Sequence, residues 1–153
     1  VPLVVPFAWA MIAHPILCAA RRVAGNWVFL YGGFGLMAYD LFLDPQMVTA
    51  GRWTWEVTGS HVPFTPEVPL SNAFGWLLSG MALIAILHLA LPRDRRKVSA
   101  SFITIDIFLI WTWFAGVVSN LFFFDRPGIA FIFGLTFGAI LAPYIFSRWL
   151  GRP

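Results

Sequence analysis

Residues 40–76 read DLFLDPQMVTAGRWTWEVTGSHVPFTPEVPLSNAFGW, a polar and aromatic insert between apolar stretches at 26–43 and 70–91. Each flanking stretch is long enough to cross ~30 Å of hydrocarbon as a helix. The insert holds Asp40, Asp44, Glu56 and Asn72 together with Trp53, Trp55 and Trp76. Carboxylates and amides are costly beside hydrocarbon, so their concentration here marks this membrane boundary as the place to seek function.

Composition agrees with that reading. Of 153 residues, 59% are apolar and only 11% charged, too little polar surface to coat a soluble globule. The expected fold is all-α: one polytopic transmembrane bundle of about five spans, with a long, partly structured extracytoplasmic loop. The spans fall near 1–20, 26–43, 70–91, 101–124 and 128–147. The chain begins at Val1 inside an apolar stretch and without a methionine. We therefore expect residues 1–153 to form one integral membrane domain that lacks its natural N-terminal helix or helices. Gly134 and Gly138, at helical spacing, suit close approach of two helices.

The net charge of +3 does not indicate a nucleic-acid partner, because the basic residues flank apolar segments instead of forming a stripe. Arg21 and Arg22, the run Arg93, Asp94, Arg95, Arg96, Lys97, and Arg148 with Arg152 fall on one side, leaving only Arg52 and Arg126 opposite. The positive-inside rule assigns the first side to the cytoplasm and the loop 44–69 to the extracytoplasmic face. A bacterial or archaeal plasma membrane is the expected location.

Asp40 and Asp44 are four residues apart and share a helix face if the second span persists to Pro45. Asp40 is expected to face the bundle interior, where burial and its acidic neighbour favour the neutral form of a candidate general acid. Trp53 and Trp55 alternate with Arg52 and Glu56, as in a shaped pocket edge. Ser71 or Asn72 is placed to cap the third span, and Trp76 lies one turn beyond Asn72. Asn120 and Asp125 complete the polar layer, whereas Asp106 is expected to pair with the basic loop.

Several chemistries lack their residues. His14, His61 and His88 stand in separate segments and form none of the clusters that a membrane di-iron site requires. The spaced pair Asp40 and Asp44 falls short of the aspartate-rich motifs that hold magnesium diphosphate. Cys18 is the single cysteine, so no intramolecular disulfide or cysteine metal site can form. Phosphate-loop, dinucleotide and nucleophile-elbow motifs are missing from the sequence.

The order Asp40, Asp44-Pro45, Trp53-Thr54-Trp55, Val68-Pro69-Leu70-Ser71-Asn72 and Gly75-Trp76 resembles the carotenoid biosynthesis family that includes the CruF-type carotenoid 1,2-hydratases and bisanhydrobacterioruberin hydratase. The chain departs from that pattern at Glu67, where a glycine often stands. The resemblance implies a hydro-lyase that adds water to the terminal double bond of an acyclic carotenoid end group, giving a tertiary alcohol without metal or cofactor. Its partners would be a carotenoid or other long isoprenoid lipid, the membrane and other carotenoid enzymes.

In that chemistry Asp40 donates the proton, Asp44 or Glu56 is its partner or the base, and Asn72 orients the water. Trp53, Trp55 and Trp76, with Asn120 and Asp125, form the substrate site. The alternatives are a non-catalytic carotenoid- or isoprenoid-binding membrane subunit and, behind it, a small transporter. A transporter requires polar residues through the full depth of the bundle, whereas here they gather mainly at one boundary.

Overall fold

The computed structural model describes residues 5–92 and 101–151. The chain forms α1 (Val5–Val23), a 3-10 turn (Gly25–Trp27), α2 (Val28–Thr49), β1 (His61–Val62), β2 (Thr65–Pro69), α3 (Leu70–Ala90), α4 (Ile103–Phe122) and α5 (Pro127–Ile145). A π-helical turn, Phe146–Leu150, continues α5. The expected run Arg93 to Lys97 and Arg152 lie outside the described residues.

Among the described residues three helices are long and apolar enough to cross a membrane: α3, α4 and α5 with its terminal turn. Five spans were the expectation, and α1 and α2 fall short for a compositional reason. The former ends in Arg21 and Arg22, and the latter carries Asp40, Asp44 and Gln46. α2 nevertheless sits among α1, α3 and α5, and both of its aspartates are buried. The apolar side chains of α3 and α4, including Leu78, Ile86, Ile107 and Phe114, point outward, as a lipid surround demands.

Helices in lipid gain little from hydrophobic burial against each other, so close packing must hold them. Glycines permit it. A Cβ on Gly80 would lie 3.2 Å from the Gly33 Cα, and one on Gly33 would lie 2.4 Å from the Met81 Cγ, so α2 and α3 nearly touch along their backbones. Gly116 of α4 lies under the Phe133 ring of α5, and Trp113 Nε1 donates to the Gly134 carbonyl at 2.9 Å. Gly134 thus works as expected, at a close helix contact. Phe133, Phe137 and Tyr144 join Ile16, Leu36 and Leu109 in the main core.

α2 persists through Pro45, which lacks an N–H, and ends four residues later. Gly51 stops it with φ +66°. Its N–H bonds the Val48 carbonyl at 3.0 Å while the Arg52 N–H reaches back to Met47 at 2.9 Å. That pairing is a Schellman motif, and it reverses the chain so that the following residues return over the helix end.

The rest of the long connection is a hairpin, with Val62 opposite Thr65 and Pro63-Phe64 at its tip. Phe64 takes φ +66°, a conformation that a bulky residue holds only when surroundings impose it. Those surroundings lie at the start of α5: a Cβ on Gly128 would fall 2.4 Å from the Phe64 Cγ, and Glu67 pairs with Arg126 beside it. β2 then leads into α3 through Pro69, so the hairpin fixes where α3 begins.

The opposite end is tied by arginines. Arg21 Nη2 donates to the carbonyls of His88 and Leu91, both at 2.9 Å, meeting acceptors that the end of α3 leaves open. Arg22 reaches Ser147, donating to its Oγ at 2.5 Å and its carbonyl at 2.7 Å. Asp106 is buried at this end, and the basic loop expected to pair with it lies outside the described residues. Tyr144 Oη donates to its Oδ1 at 2.6 Å and Arg148 Nη2 donates to its Oδ2 at 2.8 Å. α5 and its π-turn carry both partners across to α4.

Candidate active site

Helical spacing stacks Asp40 and Asp44 one turn apart on α2, and both face the first turn of α3. There the Asn72 Nδ2 donates to Asp40 Oδ2 at 2.9 Å and to Asp44 Oδ2 at 2.8 Å. One amide therefore bridges two carboxylates. The capping role expected for Asn72 is not what its side chain does: Pro69 occupies the N-cap and no side chain caps the helix. An amide has two N–H donors, and here the carboxylates have first claim on them.

The reversal at Gly51 brings the tryptophan pair onto the same acid. Trp53 Nε1 donates to Asp44 Oδ1 at 2.6 Å and Trp55 Nε1 to the same oxygen at 3.0 Å. Asp44 thus receives three bonds from three neutral donors, and Asp40 receives one. Asp44 stands beyond the apolar part of α2, where burial pushes its carboxyl up and the two indole bonds pull it back. No basic side chain bonds either aspartate among the described residues.

A cavity of about 370 Å³ opens above these groups. Asp40, Asp44 and Asn72 supply its polar lining, with Trp53, Thr54 and Trp55 on one side and Trp9 and Trp76 on another. Trp9 and Trp76 stack with ring centroids 4.1 Å apart and planes inclined by 17°. The cavity combines two carboxylates with a wall of π-faces, a setting for chemistry that develops positive charge on an apolar molecule.

The structure brings together Asp40, Asp44, Asn72, Trp53, Trp55 and Trp76 from the expected set, and leaves three out. Glu56 is exposed and lines no part of the cavity, although the indole of neighbouring Trp55 reaches Asp44. Asn120 is buried in α4, where its Nδ2 donates to the Gly116 carbonyl at 2.9 Å. Asp125 is exposed in the α4–α5 turn with φ +53°. Trp9 and Tyr39 line the cavity without having been singled out in the sequence. An aromatic inside an apolar helix gives no signal of its own; only the adjacency of Tyr39 to Asp40 could have drawn attention to it.

No curated protein and no solved structure matches the chain. The sequence pattern of a family described as carotenoid biosynthesis protein matches residues 1–141, nearly the whole of it. With apolar helices fit for a membrane and an acid-lined aromatic cavity at one end, this chain belongs to the carotenoid biosynthesis protein family.

Proposed function

We propose that the protein hydrates the terminal isopropylidene double bond of an acyclic carotenoid end group. The observation that carries this reading is the single Asn72 amide donating to both Asp40 and Asp44 at the base of an aromatic cavity. Two carboxylates bridged so closely, with no basic side chain bonded to either among the described residues, are best satisfied when the pair holds one proton. Asp44 already has three donors and suits the ionised partner. Asp40, with one, is the acid.

The steps balance without a further reagent. Asp40 gives its proton to the CH carbon of the double bond, and the tertiary cation forms on the dimethyl carbon. The faces of Trp9, Trp76 and the loop tryptophans stabilise that cation. A water attacks it, and its surplus proton goes to the carboxylate pair, leaving a tertiary alcohol and restoring the acid. Asn72 keeps the two carboxylates in register throughout.

The test is mass spectrometry of pigments from cells that accumulate acyclic carotenoids and express the full-length parent or its Asp40→Asn variant at equal abundance. The expected result is a gain of one water per reacted end with the parent and none with the variant. Pigment that copurifies with unchanged mass would replace the hydratase by a binding subunit.

A further inference from the structure

A second, apolar groove of about 250 Å³ adjoins the carboxylate cavity and shares Ala8, Ile12 and Tyr39 with it. It runs between α1, α2 and α4, bounded by Met11, Phe42, Phe108, Trp111, Thr112 and Ala115. Ala115 to Phe108 covers about 10 Å of helix rise, so the groove extends from the cavity toward the end where α4 begins. Met11 and Trp111 are 67% and 64% exposed, which leaves the groove open sideways on the lipid-facing surface.

We propose that the groove holds the polyene chain of the substrate, threaded past Tyr39, while only its end group enters the carboxylate cavity. This inference rests on the hydration reading above. A chain long enough to reach across much of a ~30 Å hydrocarbon layer cannot be contained beside Asp40, and the groove lies directly beyond the shared wall of Ala8, Ile12 and Tyr39. Apart from Thr112 and the Tyr39 hydroxyl the groove is lined by aliphatic and aromatic side chains, and no charged residue lines it, so the surface suits a hydrocarbon. Only an extended, unringed end could reach the acid by this route. The groove residues, and not the acids, then select chain length and shape.

The experiment fills the groove without touching the acids. Ala115→Trp adds bulk on the α4 wall, and Ile107→Trp adds it on the same helix outside the groove. Each purified full chain is assayed with lycopene and with geraniol, which carries the same terminal group on a much shorter chain. Ala115→Trp is expected to lower lycopene turnover about tenfold more than geraniol turnover, whereas Ile107→Trp leaves the ratio of the two at the parent value. An unchanged ratio in Ala115→Trp overturns the groove assignment. If the parent hydrates neither compound, the hydration reading fails, and lycopene retention on the purified protein decides the groove by itself: reduced retention in Ala115→Trp upholds it and equal retention overturns it. Should Ala115→Trp not fold, Thr112→Phe on the same wall takes its place.

Discussion

Two buried carboxylate sites lie at opposite ends of this bundle, and they are built on opposite principles. At one end Asp106 meets the Arg148 guanidinium and the Tyr144 hydroxyl, so its charge is matched and its geometry closed. At the other, Asp40 and Asp44 meet an amide and two indoles, all neutral, beside an open cavity. A carboxylate closed between such partners ties α4 to the end of α5. In the proposed function the unmatched pair keeps a proton and passes it to a guest. The proposed acid differs from Asp106 in its partners and not in its burial, since Asp40 and Asp106 are each 3% exposed.

Removing the proposed proton donor should widen that contrast most. Asp40→Asn keeps shape and hydrogen-bonding capacity, and we expect hydration to fall about a thousandfold in pigment assays while thermal unfolding in detergent changes little. Asp106→Asn should do the reverse, costing about 3 kcal/mol of stability by leaving Arg148 without its counter-charge, with turnover per folded molecule close to that of the parent. Thermal melts of Asp106→Asn, Arg148→Met and the double variant would show whether the two residues act as one unit, since coupled partners lose less together than the sum of their separate losses.

Finer changes probe the neutral donors. Trp53→Phe removes the shorter indole bond to Asp44, and about 1.5 kcal/mol of transition-state stabilisation, roughly tenfold in rate, should go with it. A rate equal to that of the parent would mean that Trp53 only covers the site. Glu67→Gln breaks the ion pair with Arg126 at the hairpin, where both side chains are partly exposed. Its expected cost is below about 1 kcal/mol, read as a small drop in melting temperature with unchanged turnover.

Much of this architecture was legible in the chain because hydropathy and spacing are local properties. The helix positions follow the apolar runs, and the four-residue interval of Asp40 and Asp44 placed them on one face. What was not legible depends on which way a side chain turns. Glu56 follows Trp55 directly, yet one faces solvent and the other Asp44. Asn120 reads as a boundary residue and proves to be a buried helix residue bonded to its own backbone. Asp106 meets Arg148, 42 residues away on the turn that continues α5, a partner that no local spacing announces. The hairpin is hidden by Pro63, Pro66 and Pro69, which argue against strands, and it persists through contacts with Gly128 and Arg126 that no strand pattern foretells.

The arginine ties at the end of α1 also bear on the order of biogenesis. Arg21 satisfies carbonyls that do not exist until α3 has been made, and Arg22 waits for Ser147, 125 residues further along. α1 therefore cannot be locked in place until the end of α5 has left the ribosome. Because Trp9 rides on that helix and stacks on Trp76, the aromatic wall is completed only at this final docking. A half-made chain in the membrane would carry the two aspartates without the complete aromatic wall that the proposed hydration needs.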